Sequence, residues 1–145
     1  VKCDTISMAA KSVGENMIIA TANAAVELFY NGSKKLETVS GGVNVTGAMT
    51  ASGDVTAFSD ERLKTDVNTI ENALEKVTNL RGVEYTKLDT NQRGIGLIAQ
   101  ETEKVIPEVV QDGAFKSIAY GNIVGVLVEA IKELKAEINE LKEAK

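Results

Sequence analysis

Hydrophobic and polar residues follow short alternating patterns in the first part of the chain. Residues 26–30 and 34–39 predict two strands, and Asn31-Gly32 between them predicts a tight hairpin turn. Residues 43–46 and 54–57 predict two further short β segments, set apart by glycines and serines. Frequent turns between short strands indicate either a small β-meander or the last section of a fibrous β-stalk.

The pattern changes to helical spacing after residue 66. Asn68 with Glu71 three residues later predicts a capping box, and Gly82 predicts the end of the helix. The apolar residues between them predict a three-turn amphipathic helix with one face in the core. The residues on that face are Ile70, Leu74, Val77 and Leu80.

A mixed α/β segment follows this helix. Residues 83–86 predict a strand, and residues 95–98 predict a second, more buried one. Residues 101–106 predict a short helix that ends at Pro107. Asp112-Gly113 lies between two β-type stretches and predicts a hairpin.

Two glycines in this segment invite comparison with a phosphate-binding loop. Gly94 and Gly96 have neither the dinucleotide-binding spacing nor a Gly-Lys-Ser/Thr ending. They predict a bulge or a closely packed backbone instead. No cofactor or metal site follows from the sequence.

The last segment carries a heptad pattern. Its apolar residues recur at spacings of 3, 4, 3, 4 and 3, and glutamate and lysine fill most outward positions from Glu129 onward. This narrow stripe is typical of a coiled coil, whereas a helix packed only on its own domain has a broader apolar face. It predicts self-association through a helix over about residues 122–145, by Val124, Leu127, Ile131, Leu134, Ile138 and Leu141. Isoleucine at a with leucine at d by itself favours a parallel dimer.

Composition restricts the kind of core that the chain can build. Its 145 residues include three tyrosines, three phenylalanines and no tryptophan, so small aliphatic side chains must fill any core. A core shared between identical chains buries more of these side chains than a narrow lone protomer can.

The net charge of −5 argues against a nucleic-acid or anionic-membrane partner. We see no apolar run near the ~20 residues that span a bilayer, and no signal-peptide pattern. The single Cys3 cannot form an intrachain disulfide.

Candidate chemistry is limited because the chain contains no histidine. Histidine-based triads, Cys-His pairs and histidine metal sites are therefore excluded. Serine, lysine and carboxylates come together between the two halves, where Ser59 and Lys64 form the candidate pair. A lysine acts as a base only when neutral, so a pKa of ~10.4 would have to fall to ~7 to 8. On a helix the two side chains would lie about 140° apart, so we expect a turn, or a lysine that acts across a subunit boundary.

Four motifs occur in a fixed order along the second half. They are SDERLKTD at residues 59–66, GLIAQE at 96–101, VIPEVV at 105–110 and YGNIV at 120–124. Together they resemble the self-cleaving intramolecular chaperone domain at the C-terminus of phage tail spikes, tail fibres and endosialidases. Residues 27–37 also resemble segments of phage tail fibres that lie just before this domain.

The resemblance implies an α+β protein with two parts. These are a homotrimeric β-rich fibre stalk over residues 1–58 and a mixed α/β chaperone domain over 59–145 that ends in the coiled-coil helix. It implies that Ser59 is the nucleophile, Lys64 its base, and the bond between Phe58 and Ser59 the one that breaks. Three further motif residues would orient the pair or hold the turn: Asp60, Arg62 and Asp66. A trimer is expected rather than a dimer, because the stalk and chaperone can impose their own symmetry on a short coil.

In this interpretation the domain trimerises, templates the folding of the stalk as its client, and then releases itself as a single-turnover serine autopeptidase. The stalk would belong to the virion tail fibre, assembled in the host cytoplasm, and the released chaperone would be absent from the mature virion. The main alternative is a structural trimerisation cap that never cuts. A third possibility, a self-releasing domain of a membrane-tethered transcription factor, is disfavoured by the fibre-like first half and the absent membrane segment.

Overall fold

The computed structural model describes residues 4–9 and 14–144. The chain forms two compact units, Val1–Ser59 and Asp60–Lys145. This division lies one residue beyond the boundary expected from the sequence, and the assignment of the two parts to a stalk and a chaperone stays a prediction. Cys3 lies outside the described residues. Within those residues, no helix is both long and apolar enough to cross a membrane.

The first unit contains an antiparallel meander in which each strand pairs with the next one along the chain. The hairpin predicted at Asn31-Gly32 is confirmed, and its two turn residues have φ of 50° and 69°. The strand expected over residues 54–57 does not form. Val55 is 78% exposed, so the alternating pattern there finds no apolar surface to pack on. The strands are β1 (Thr5–Ala9), β2 (Asn16–Thr21), β3 (Val26–Tyr30), β4 (Ser33–Val39) and β5 (Gly42–Val45), of which the sequence pattern predicted the last three.

The register gives this sheet two chemically different faces. Directly opposed residues point to the same face of a sheet. One row crosses all five strands and is wholly apolar: Met8, Ile18, Leu28, Leu36 and Val45. On the opposite face, Lys34 forms ion pairs with Glu27 and Glu37. None of the described residues of this unit is fully buried, so its apolar face lacks a core of its own, as the composition predicted.

The second unit is built around two packed helices, α1 (Ala73–Asn79) and α3 (Ile123–Glu143). The helix predicted over about 122–145 is therefore confirmed as α3. The apolar stripe predicted for the first helix packs against the core, which confirms its orientation. The buried residues of that core are Ala73, Ile106, Val109, Ile123, Val126 and Ala130.

α1 is shorter than predicted and begins in a different way. It spans 7 residues, about two turns rather than three. The capping box expected from Asn68 and Glu71 is wrong, because Asn68 Nδ2 donates instead to the carbonyl oxygen of Asp66 at 2.9 Å. Asn72, directly before the helix, has φ of 54° and makes no side-chain cap. Glu133 of α3 caps α1 instead.

The first small hairpin pairs β6 (Val83–Thr86) with β7 (Arg93–Gly96). β6 is the predicted strand, whereas β7 begins two residues before the predicted one. It ends at Gly96 because the next N–H, that of Leu97, donates to the hydroxyl of Tyr120 at 2.9 Å. A Cβ at Gly94 would lie 2.9 Å from the ring of Tyr85, which confirms the closely packed backbone expected at these glycines.

A short helix and a second hairpin lead to α3. The helix α2 (Ala99–Thr102) begins two residues before the predicted one and ends four residues before its predicted end. Pro107 begins a 3-10 turn rather than ending a helix. The hairpin predicted around Asp112-Gly113 is confirmed by the pairing of β8 (Val110–Gln111) with β9 (Ser117–Ile118). The chain then enters α3 through a second 3-10 turn, Tyr120–Asn122.

Candidate functional site

The predicted cleavage position lies where the first unit ends. Ser59 is the last residue of that unit and is exposed, and Phe58 before it is 97% exposed. Lys64 belongs to the second unit and is also exposed. Both members of the predicted pair therefore lie at the surface of the single chain, and their action as nucleophile and base stays a prediction.

Asp60 and Arg62 form a closed turn directly after Ser59. Asp60 caps the 3-10 turn Glu61–Leu63 by accepting the N–H of Arg62 at 2.9 Å. The guanidinium of Arg62 donates to the same carboxylate from two nitrogens, at 2.9 and 2.7 Å. This bidentate pair lowers the pKa of Asp60 and raises the pKa of Arg62. Two of the three supporting residues therefore meet, and they hold a tight turn directly after Ser59.

Lys64 and Asp66 lie where the chain leaves this turn. The N–H of Lys64 donates to the carbonyl oxygen of Glu61 at 3.0 Å, and its backbone is extended, with φ of −128° and ψ of 149°. Asp66 has φ of 52°, in the left-handed region. Its carbonyl oxygen accepts the amide of Asn68. The third supporting residue therefore shapes the backbone by turning the chain a second time.

The six predicted interface residues of α3 are exposed in the single chain. They are between 42% and 68% exposed and form one stripe, which we call the heptad face: Val124, Leu127, Ile131, Leu134, Ile138 and Leu141. At 100° per residue, the centre of this face lies about 80° around the helix from the buried residues Ile123, Val126 and Ala130. α3 therefore has one face packed in the core and a second apolar face that its own unit leaves uncovered.

Glu133 is a site residue that the sequence analysis missed. Its two carboxylate oxygens accept the N–H groups of Ala73 at 2.9 Å and Leu74 at 2.7 Å. These donors belong to the first turn of α1 and have no partner within the helix. The two hydrogen bonds, from Leu74 and then Ala73, lower the pKa of Glu133, and the charge of Lys76 adds to the effect. Among the many glutamates of α3, nothing in the sequence distinguishes this one.

Tyr120 joins two of the four sequence motifs. Its hydroxyl accepts the N–H of Leu97, and a Cβ at Gly96 would lie 2.6 Å from that hydroxyl oxygen. The absence of a side chain at Gly96 is what allows this approach. Motif residues 96–101 and 120–124 therefore meet at one hydrogen bond from a backbone N–H to a side-chain hydroxyl, which gives Gly96 and Tyr120 a structural role.

Comparison with known proteins finds a family that resembles part of the second unit. Residues 59–111 match the family described as the chaperone of endosialidase, which is named as a peptidase family. Residues 59–111 are therefore similar to the chaperone-of-endosialidase family, and the resemblance drawn from the motifs is confirmed.

The chain is also similar to long tail fibre proteins of bacteriophages. It is 39% identical over 101 residues to the long tail fiber protein Gp37 of Enterobacteria phage M1, covering 61% of this chain and 40% of that protein. It is 31% identical over 144 residues to the protein of the same name from Salmonella phage S16, covering 90% of this chain and 19% of that protein. The chain thus spans less than half the length of these curated relatives.

Proposed function

We propose that this chain is the C-terminal part of a phage tail fibre, in which a self-associating chaperone domain templates the folding of the preceding stalk. The observation that carries the proposal is the uncovered heptad face in a chain whose residues 59–111 match the chaperone-of-endosialidase family. A contiguous exposed apolar stripe on a protein marks an interaction surface. A second copy offers an identical stripe, and a coiled-coil seam between copies would cover both.

Three copies fit this role better than two. Isoleucine at a and leucine at d favour two strands in an isolated coiled coil. The resemblance to the self-cleaving chaperones nevertheless implies a trimer, and the sheet of the first unit suits one. Three such sheets around an axis would turn the apolar row of Leu28 and Leu36 inward and leave the ion pairs of Lys34 in water.

The domain would then release itself by cutting between Phe58 and Ser59. Neutral Lys64 removes the proton of the Ser59 hydroxyl, whose oxygen attacks the carbonyl carbon of Phe58. The carbon–nitrogen bond breaks, the nitrogen receives the proton from Lys64, and the acyl group of Phe58 passes to the serine oxygen as an ester. Water hydrolyses the ester and leaves a carboxylate on Phe58 and a free amine on Ser59.

Assembly would supply the environment that this reaction needs. In the single chain Ser59 and Lys64 are exposed to solvent. Apolar surface from neighbouring chains would disfavour the charged form and so favour a lysine that can accept a proton. Cleavage would therefore follow trimerisation, and unassembled chains would stay whole.

The order of events has a kinetic purpose. A stalk held by contacts between chains is slow to nucleate, because such contacts are not local in sequence. A domain that trimerises first aligns the chains and raises their effective concentration. After cleavage the stalk would remain in the virion by kinetic stability, and the chaperone would leave in the host cytoplasm.

A registering cap that never cuts is the second candidate function. It needs the heptad face and the buried core, but it does not need a reactive Ser59. The exposed positions of Ser59 and Lys64 in the single chain favour this candidate.

Intact mass and sedimentation of freshly refolded protein distinguish the two candidates. We expect the wild type to sediment as a trimer and to give two fragments that meet between Phe58 and Ser59. Ser59→Ala and Lys64→Ala should form trimers that stay whole, whereas Ser52→Ala, an exposed serine in the same stretch, should be cut like the wild type. If all four proteins form trimers and stay whole, the domain is a cap and the peptidase proposal is wrong.

A further inference from the structure

α3 holds the segment that follows the cleavage motif at two points. At the far end of this segment, Glu133 caps α1 with both carboxylate oxygens. Closer to the motif, Ile70 lies against α3 beside Gly125, where a Cβ would be 3.6 Å from Ile70 Cδ1. Both contacts lie on the helix that carries the heptad face.

The segment between Lys64 and α1 depends on such contacts for its shape. It contains no helix or strand, and it turns at Asp66 and Asn72, which have φ of 52° and 54°. Asparagine and aspartate tolerate the left-handed region better than other residues, but it remains less favourable than the right-handed region. Asn72 directly precedes Ala73, whose N–H is bound by Glu133. The Glu133 cap therefore acts where the segment needs support.

Glu133 also lies between two residues of the heptad face in the sequence. Ile131 and Leu134 are 66% and 44% exposed, whereas Glu133 points to the start of α1. Hydrogen bonds from backbone N–H groups to a carboxylate are charge-assisted and among the stronger ones in proteins. These bonds tie Ala73, which has no exposed surface, directly to α3.

We infer that Glu133 is a positioning residue for self-cleavage: by fixing the start of α1 to the self-associating helix, it holds residues 64–72 in the conformation that reacts. This inference rests on the proposed cut between Phe58 and Ser59. Glu133 acts through the backbone of the segment and not on the reacting atoms.

Three variants test the inference. Glu133→Gln keeps the size of the side chain, but it loses the charge and one of the two acceptors. Glu133→Asp keeps the charge on a shorter stem. Glu137→Gln removes an exposed carboxylate one turn further along α3 and serves as the matched control. All are compared with the wild type at one chain concentration, well below their unfolding temperatures.

The readouts are sedimentation, the time course of intact mass, and hydrogen exchange of peptides covering residues 64–74. We expect E133Q to form trimers, to cut at least tenfold more slowly, and to exchange faster throughout residues 64–72. E133D should recover part of the rate, and E137Q should match the wild type. If E133Q fails to fold, E133D tests the inference in its place. A cleavage rate of E133D equal to that of E137Q would then overturn the inference.

Two further outcomes separate this inference from the proposed function. A trimeric E133Q that cuts at the wild-type rate overturns the positioning role and leaves the peptidase intact. If the wild type itself stays whole, the proposed cleavage fails, and hydrogen exchange decides what remains. Unchanged exchange of residues 64–72 in E133Q would then show that α3 does not hold the segment.

Discussion

Replacing Gly96 by alanine should destabilise the second unit through a contact that a second substitution relieves. The new Cβ would lie 2.6 Å from the hydroxyl oxygen of Tyr120, which must then move and release the N–H of Leu97. Losing that hydrogen bond costs about 0.5–1.5 kcal/mol, and displacing the ring adds roughly 1 kcal/mol or more. Alanine recovers about 0.4–1 kcal/mol by restricting the unfolded chain. We expect a net loss of about 1–2 kcal/mol.

Tyr120→Phe by itself should cost about 1 kcal/mol, since it removes only the hydrogen bond. In the double variant the clashing oxygen is absent, and the Cβ meets the ring carbon Cζ at an ordinary 3.6 Å. The double variant should therefore be no less stable than Gly96→Ala, with a coupling energy of about 1–2 kcal/mol. Urea denaturation of the four proteins at one chain concentration measures this coupling. Losses that simply add would show that the hydroxyl and the glycine do not oppose each other.

Three further predictions follow from the structure. Ile131 lies on the heptad face and is 66% exposed, so Ile131→Asp should convert the trimer to monomer in sedimentation at micromolar concentration. Asn139→Asp changes a residue off that face and should leave the trimer intact. A trimer that is unchanged in both variants would exclude the coiled-coil seam. Arg81→Ala removes a two-point ion pair with Glu101 at 3.0 and 2.5 Å. Because the arginine is 65% exposed, the free energy of unfolding should fall by at most about 1 kcal/mol. A fall above roughly 3 kcal/mol in chemical denaturation would contradict this weak contribution. The pKa of folded Glu133 is lowered from 4.5, so the stabilisation by its carboxylate is complete above that pH and disappears as the pH falls through the lowered value. Thermal unfolding should therefore show that E133Q loses less stability than the wild type between pH 7 and pH 3. Equal losses of stability would argue against the cap.

The elements that sequence patterns predicted well are those stabilised by residues close in the chain. Leu74 and Val77 of α1 and the heptad face of α3 follow helical periodicity, which neighbouring residues encode. Asn31-Gly32 specifies its hairpin because both residues accept positive φ. The strand expected over residues 54–57 failed because alternation also needs a surface to pack on.

The candidate site also contains features that are local in the sequence and one feature that is not. The run from Ser59 to Asp66 was found by motif, and its Asp60–Arg62 turn involves residues only two positions apart. The start of α1 was predicted wrongly because the local cap from Asn68 lost to Glu133, which is 60 residues away from Ala73 in sequence. No periodicity or spacing signals a contact over that distance.

The sequence by itself determined the α-helical and β-strand character of the two halves, the heptad face and the family motifs. Each of these depends on side-chain order along a short stretch of chain. Only the tertiary structure decided which glutamate caps α1, why Gly96 must lack a side chain, and which face of α3 packs in the core. These depend on contacts between residues that are distant in the chain: Glu133 binds the first N–H groups of α1, which have no partner within the helix, and Tyr120 approaches Gly96 to accept the N–H of Leu97.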